Sequence, residues 1–298
     1  MKRALDDALG EDSGAARTTT TMRALPLDGR SILVTGGGGG IGRACCCMLA
    51  SRGALVVAAD LDLEAAHETE RAVLAELPQA RISAFKVDVT SAESVDAMVG
   101  HAVDTFGRLD GAVNAAGIEG ERAVLHETDI SNYSRVLDVN LKGTFLCMRA
   151  VVKQMLKQSP PNHTSTQHAA STAVTTAIDV CNYGIVNISS TAGQSAMPEF
   201  SCYSASKFAI VGLTRTAAKE YAARGIRVNA IAPSTTDTPM VARFTERWPE
   251  WQATQNASFP VGRIGRTDEV AATCAFLLSA ECPMLTGAVL TIDGALSA

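Results

Sequence analysis

The stretch from Ser31 to Ala44, Ser-Ile-Leu-Val-Thr-Gly-Gly-Gly-Gly-Gly-Ile-Gly-Arg-Ala, constrains the fold of this chain more than any other. Ser31 to Thr35 is a short β-prone apolar run, and a helical pattern begins at about Gly40. Between them Gly36, Gly40 and Gly42 keep the spacing T-G-x-x-x-G-x-G. A strand that turns sharply into a helix leaves backbone N–H groups pointing into open space, which suits a pyrophosphate. Glycine is needed there because a side chain would block close approach, and some of these positions require positive φ. A flexible glycine linker would not be bracketed by a strand and an amphipathic helix.

The rest of the chain continues this strand-to-helix rhythm. Ala54 to Ala59 is a near-continuous apolar run ending at Asp60, the pattern of a parallel strand buried on both faces. Leu63 to Leu77 reads as a helix closed by Pro78, Arg81 to Val87 as a strand ending at Asp88, and Ser91 opens a helix that runs to Phe106. Leu109 to Val113 is a strand passing into Asn114-Ala115-Ala116-Gly117, and one long helix is expected from about Ser131 to Lys157, with Asn140 inside it. The pattern resumes with strand Gly184 to Ser189, helix Ser201 to Ala223, strand Ile226 to Ala232, helix Asp268 to Ser279 and strand Ala288 to Ile292. Such βαβ units with right-handed crossovers predict an α/β fold: a single-domain, Rossmann-type doubly wound parallel sheet of about seven strands, with helices on both faces. The expected domain spans 28–298.

Composition removes several function classes. With 47% hydrophobic and 19% charged residues in 298, a sizeable core is available. A net charge of −5 and the lack of a basic run argue against nucleic acid and anionic membrane surfaces as partners. No apolar stretch approaches the roughly 18 residues of a membrane helix. The eight cysteines contain no C-x-x-C pair, Cys45, Cys46 and Cys47 fan around a helix, and no histidine is spaced for zinc, so no metal site is expected. Reduced cysteines in a cytoplasmic setting are the expectation.

Three segments stand outside the rhythm. Residues 1–27 carry mixed charges and a threonine run and read as a disordered extension, neither a transit peptide nor a secretory signal. Residues 158–183 form an insert rich in Ser, Thr, Ala and Pro, far longer than the usual ~2–6 residues of an αβ loop. Because the insert joins a helix to the next strand, it is expected at the end of the sheet away from the strand C-termini, and His163 and His168 in it are read as solvated. Residues 234–262 follow a strand C-terminus and can form a lid, which contains Met240, Phe244, Trp248, Trp251 and Phe259.

Tyr203 and Lys207 are an i,i+4 pair and share one helix face. A phenol with an intrinsic pKa near 10 is a poor base at neutral pH, and a nearby ammonium is expected to lower that value. Tyr203 can then exchange a proton with a substrate hydroxyl while hydride leaves or reaches the carbon. Asp60 ends the second strand, where a carboxylate can accept a hydrogen bond from an adenosine ribose 2′-OH and would repel a 2′-phosphate. Arg43 could favour a phosphate instead, but reads as a surface residue of the first helix turn.

Taken in order, these motifs resemble the short-chain dehydrogenase/reductase family from about Leu27 to the C-terminus. The carriers are Thr35 to Gly42, Asn114 to Gly117, Asn140 in Val-Asn-Leu-Lys-Gly, Ser190 in Asn-Ile-Ser-Ser, and Tyr203-Ser-Ala-Ser-Lys207. The resemblance implies a catalytic set of Asn140, Ser190, Tyr203 and Lys207. In it Ser190 fixes the substrate oxygen, Lys207 also holds the nicotinamide ribose, and Asn140 supports a water-linked proton relay. It implies cofactor contacts from Gly36, Gly40, Ile41, Gly42, Asp60, Asp88, Val89, Asn114, Ala116, Gly117, Tyr203, Lys207, Pro233 and Thr238. The residue before the second motif glycine, often basic in NADP-users, is Gly39 here. Where the family commonly has Pro-Gly after the sixth strand, this chain has Pro233-Ser234, so either Ser234 takes up a glycine-like conformation or the turn differs.

The expectation is therefore an oxidoreductase that uses NAD to interconvert a secondary alcohol and a ketone. The aromatic lid suggests an apolar substrate, terpenoid, polyketide or steroid-like, with determinants in the lid and in 194–202. The alternatives are an NADPH-dependent ketoreductase and a non-catalytic dinucleotide-sensing protein. The resemblance further implies a homodimer or homotetramer, packed through the helices 131–157 and 201–223.

Overall fold

The computed structural model describes residues 26–158, 183–248 and 257–298. Alternation along the strands sorts their side chains into two layers of core. In β1 (Ser31–Thr35) Ile32 and Val34 pack to one side of the sheet and Leu33 to the other; in β2 (Leu55–Asp60) Val56 and Ala58 are divided in the same way from Val57 and Ala59. This is the period-two pattern of a sheet covered on both faces.

On the first face lie α1 (Gly40–Ser51) and α8 (Thr267–Leu278), which bring Cys45, Leu49, Val270, Cys274 and Leu277 to the core. On the second lie α3 (Ala92–Phe106), α5 (Gly143–Met155) and α6 (Ser201–Tyr221), with Met98, Val151, Met155 and Ala217. The seven strands are all parallel, in the order β3-β2-β1-β4-β5-β6-β7. The added members are β3 (Arg81–Lys86), β4 (Gly111–Asn114), β5 (Tyr183–Ile188), β6 (Ile226–Pro233) and β7 (Val289–Ile292). The order reverses between β1 and β4, and the crevice above their C-terminal ends is where a ligand binds in such sheets. The doubly wound architecture expected from the sequence is the one found.

The helix expected over 131–157 is two helices, not one. Asp129 accepts the Ser131 N–H and starts α4 (Ile130–Leu137), which gives way to a π-turn at Asp138–Lys142 before α5. There the Gly143 N–H reaches back five residues to the Asp138 carbonyl. The slack residue in the ladder lets the Asn140 side chain turn inward, as π-bulges at functional sites commonly do. A Cβ at Gly143 would lie 2.8 Å from Val89 Cγ2, so this crossing also depends on glycine. The other boundaries lie within two residues of expectation; α2, for example, is Leu63–Glu76, capped by Asp62.

The 158–183 insert is described only at its ends. Gln158 accepts the Leu109 N–H and donates to the Leu109 carbonyl, and the Tyr183 hydroxyl donates to the Gln158 carbonyl at 3.1 Å. Both ends therefore sit at the start of β4 and β5, away from the strand C-termini, where the sequence placed them. His163 and His168 lie outside the described residues, as do residues 1–25 and Trp251. Ser234 keeps an ordinary backbone: among the described residues only Glu199 and Ala295 have positive φ without being glycine. Its N–H donates to the Ile292 carbonyl at 3.1 Å, so the turn after Pro233 needs no glycine.

Candidate active site

The turn from β1 into α1 is shaped by glycines that no other residue could replace. A Cβ on Gly42 would lie 2.0 Å from the Gly36 carbonyl oxygen, and Gly36 itself has φ of 68° with the Ala116 amide pressed against it. The N-cap of α1, Gly39, supplies no side-chain acceptor, so the first-turn amides keep no such partner. They face a cavity of about 580 Å³ lined by Gly36, Gly38–Gly42 and Asp60 on one side, and by Ser190, Tyr203 and Lys207 on the other. A cradle that a Cβ would fill, with open helix-terminal amides, fits the diphosphate of a dinucleotide.

Asp60 lines this cavity beside the glycine turn. Its Oδ2 accepts the Gly38 N–H at 2.9 Å and its Oδ1 the Asp62 N–H at 3.1 Å, so the glycine turn fixes the carboxylate. Arg43 is more than a surface residue. It donates to Thr69 Oγ1 at 3.0 Å and to the Gly38 carbonyl at 2.6 Å, and pairs with Glu68 at 3.0 Å, which ties α1 to α2.

Across the cavity, Ser190 faces Tyr203 closely enough to pull the phenol's pKa down, and Ser190 Oγ accepts the Ala192 N–H at 3.1 Å. Lys207 is buried and donates from Nζ to the Ile188 carbonyl at 2.9 Å. Its Nζ stands 5.4 Å from the Tyr203 ring centroid. The expected ammonium effect on Tyr203 is not what the protein alone provides. Burial holds the Tyr203 phenol above its ordinary value against the pull of Ser190, with Glu119 adding to the rise. Burial also lowers Lys207 to about 8, because the ammonium has lost its water. Without cofactor the pair therefore rests as a neutral phenol beside a lysine that gives up its proton readily.

Asn140 lies fully buried behind Lys207. Its Oδ1 accepts the Ile118 N–H at 2.8 Å, while Nδ2 donates to the Ile118 carbonyl at 2.8 Å and to Ser206 Oγ at 3.0 Å. The side chain is thus spent on holding the segment after β4 against α6. Asn114 is likewise turned to the interior and donates to Asn187 at 2.8 Å.

Of the residues singled out in the sequence, Gly36, Gly40, Ile41, Gly42, Asp60, Ala116, Gly117, Ser190, Tyr203, Lys207, Pro233 and Thr238 line one cavity. Asp88, Val89, Asn114 and Asn140 do not line it. Asp88 instead accepts from the Thr90 N–H and hydroxyl at 2.9 and 2.7 Å, and those bonds lower its pKa. Met197 and Phe200 line the cavity from within the expected 194–202 stretch. Glu119 and Arg243 line it too. Sequence reasoning singled out neither, although Glu119 follows the Asn114–Gly117 motif after β4 and Arg243 is one turn along its helix from Met240.

The helix in the expected lid segment, α7 (Pro239–Arg247), is held at both ends. At its start the Thr238 side chain accepts the Val241 N–H at 3.3 Å and stands 3.4 Å from where a Gly40 Cβ would be. At its end Trp248 stacks on Phe244 at 4.4 Å, and Phe244 on Phe200 at 5.8 Å. Arg122 lies 5.4 Å from the Trp248 ring and pairs with Glu199, which has φ of 67°. The ring of contacts clasps α7, in the segment expected to form a lid, to the body beside the cavity.

Comparison with known proteins gives the family. The short chain dehydrogenase family model matches residues 30–162, and the enoyl-(acyl carrier protein) reductase model matches 161–297. Cis-4-hydroxycyclohexanecarboxylate dehydrogenase of Sinomonas cyclohexanicum is 38% identical over 90% of this chain and 97% of its own. The chain belongs to the short-chain dehydrogenase/reductase family. Cyclohexanol dehydrogenase of an Acinetobacter species is 36% identical, covering 88% of this chain and 93% of its own. The crystal structure of levodione reductase superposes with a TM-score of 0.79 at 34% identity, over 90% of this chain and 97% of that one. As a short-chain dehydrogenase/reductase, the protein is an NAD(P)-dependent oxidoreductase acting on secondary CH–OH groups. Among its described residues no three His, Cys, Asp or Glu side chains gather as metal ligands, and no helix is long and apolar enough to cross a membrane.

Proposed function

We propose that the protein interconverts an alicyclic, mainly apolar secondary alcohol and its ketone, with NAD as the cofactor. The observation that carries the cofactor choice is Asp60, fixed by the Gly38 N–H on the cavity wall beside the glycine turn while Arg43 is engaged by Thr69 and Glu68. The substrate class is supported by the apolar wall of Met197, Phe200, Met240 and Phe244, and by relatives named for cyclohexane-ring alcohols.

The Gly36–Gly42 turn would hold the diphosphate, Asp60 the adenosine ribose, and Lys207 and Thr238 the nicotinamide half, with Ile41, Ala116, Gly117 and Pro233 along its length. Asp88, Val89 and Asn114 would act by shaping the walls behind it. When bound, the nicotinamide supplies the hydride acceptor or donor. Ser190 would then hold the substrate oxygen beside Tyr203, with which it lines the same cavity. For a ketone, the neutral Tyr203 phenol is in the state that donates the proton to the developing alkoxide. For an alcohol, the same oxygen must accept that proton, and the positive charge of an oxidised nicotinamide beside the pair would favour the phenolate that the protein alone does not. Asn140 is assigned as a positioning residue that sets the floor under Lys207, with 28–298 acting as one catalytic unit.

A symmetric homo-oligomer is part of the same proposal. Leu137, Leu141, Phe145 and Leu213 line an apolar groove on the outside of α4 to α6, and Phe145 and Phe208 are about half exposed there. The seven described cysteines are free, in keeping with the cytoplasm. The test is turnover of cyclohexanol and 4-methylcyclohexanol by the purified full chain with NAD or NADP, read by absorbance of the reduced nicotinamide. Turnover with a preference for NAD is expected; no turnover of either alcohol, or a preference for NADP, would overturn the reading.

A further inference from the structure

Two charged side chains in the cavity have no part in the mechanism above, and they carry opposite signs. Glu119 lies beyond Gly117 and sits near enough to Tyr203 to raise the phenol's pKa by its charge. Arg243 lies on the cavity face of α7, and no hydrogen bond or ion pair joins it to any described residue. The neighbouring arginines are all engaged: Arg122 with Glu199 and Trp248, Arg247 with Trp248, Arg263 with Glu269. An exposed arginine left open on a cavity wall is available to an anion, and the helix pinned at both ends leaves only the side chain itself to be ordered.

We infer that Arg243 selects substrates carrying a carboxylate, and that Glu119 restricts that carboxylate to the far end of the molecule from the reacting carbon. The inference rests on the ring-alcohol reading above and names the substituent within that class. A carboxylate on the carbon next to the carbinol would be brought to Tyr203 and so to Glu119, where like charges repel at a partly desolvated site. A carboxylate across the ring is carried away from Glu119 and toward the lid, where the guanidinium can take it bidentately. Phe200, Phe244 and Met197 supply the apolar contact for the ring carbons between the two ends.

Kinetics with NAD on 4-hydroxycyclohexanecarboxylate, 2-hydroxycyclohexanecarboxylate and 4-methylcyclohexanol test this, for the wild type, Arg243→Met, Arg243→Lys and Glu119→Gln. The wild type is expected to prefer the 4-acid to the neutral alcohol in kcat/KM. Arg243→Met should cut the ratio of acid to neutral turnover about 10- to 100-fold, the worth of a charged hydrogen bond, and Arg243→Lys should recover part of it. Glu119→Gln should raise relative turnover of the 2-acid. Equal losses on charged and neutral substrates, or a fall in NAD affinity of the same size, would overturn the inference by making Arg243 a structural or cofactor residue.

A binding measurement separates this outcome from failure of the ring-alcohol reading. Calorimetry of the NAD-loaded protein with the unreactive cyclohexanecarboxylate should give an affinity that Arg243→Met weakens about tenfold or more. Absent or Arg243-independent binding of that acid overturns the inference even where neutral ring alcohols are turned over. Arg243-dependent binding supports it even where none of the three alcohols reacts.

Discussion

Replacing Asp60 by Ser tests the cofactor assignment most directly. The carboxylate is held by two backbone amides, from Gly38 at 2.9 Å and Asp62 at 3.1 Å, so it cannot swing away from a 2′-phosphate. Two unit charges about 4 Å apart repel by about 1 kcal/mol in water and about 4 kcal/mol near a protein surface, so about 2 kcal/mol suits this half-buried site. The charged hydrogen bond to the ribose, lost in the same variant, is worth about 1.5–3 kcal/mol. Both effects move the NAD-to-NADP affinity ratio in one direction, by roughly 300- to 5,000-fold together. About half of that change should be lost NAD affinity, and the NADP gain stays limited to the relieved repulsion because Arg43 stays tied to Thr69, Glu68 and the Gly38 carbonyl. Adding Glu68→Gln loosens that tie and should raise NADP affinity further. Calorimetric titration of both cofactors into the wild type and the two variants gives the ratios. A wild type that binds NADP more tightly than NAD, or a ratio that moves less than about tenfold in Asp60→Ser, refutes the reasoning.

Tyr203→Phe keeps the ring and removes the proton-exchanging oxygen, so turnover should fall about 10²–10⁴-fold with NAD affinity retained; more than about a tenth of wild-type turnover would move the role to another residue. Lys207 should titrate at about 8 in the cofactor-free protein, against an ordinary 10.5, by ¹³Cε NMR. Since the unfolded chain then binds more protons between those two values, this group makes stability rise with pH across that window and adds no slope below it; a midpoint at or above 10.5 would contradict the burial. Arg122→Met breaks both the Glu199 pair and the contact with Trp248, and should raise substrate KM severalfold while tryptophan emission shifts toward that of an exposed indole; unchanged emission and KM would mean the clasp does not hold the lid. Phe145→Glu, on the exposed face of α5, should give monomers in sedimentation at micromolar concentration, and an oligomer indifferent to it would place the interface elsewhere.

Much of the site was legible because its residues fall on regular elements whose period fixes their direction. Tyr203 and Lys207 share a face of α6 by helical spacing alone, and Asp60 follows from the end of an apolar strand. Asn140 was legible as a residue but not as a geometry, because helix periodicity carries no sign of the extra residue in the π-turn. The bonds that open that turn come from Ile118 and Ser206, which are distant in sequence. The titration of Tyr203 was misjudged for a related reason: spacing gives proximity to Lys207, whereas the pKa is dominated by lost water.

Local chemistry thus determined the strands, the order of βαβ units and the glycine turn, since hydrophobic period, right-handed crossover and backbone clash all act between near neighbours. Only the tertiary structure decided which charges share the cavity. Glu119, from the segment after β4, and Arg243, from the helix after β6, are far apart in the chain and meet one cavity because the parallel strands bring their C-terminal ends to the same edge of the sheet. It also decided the state of Lys207, because desolvation depends on everything packed around a group and not on the residues beside it in sequence.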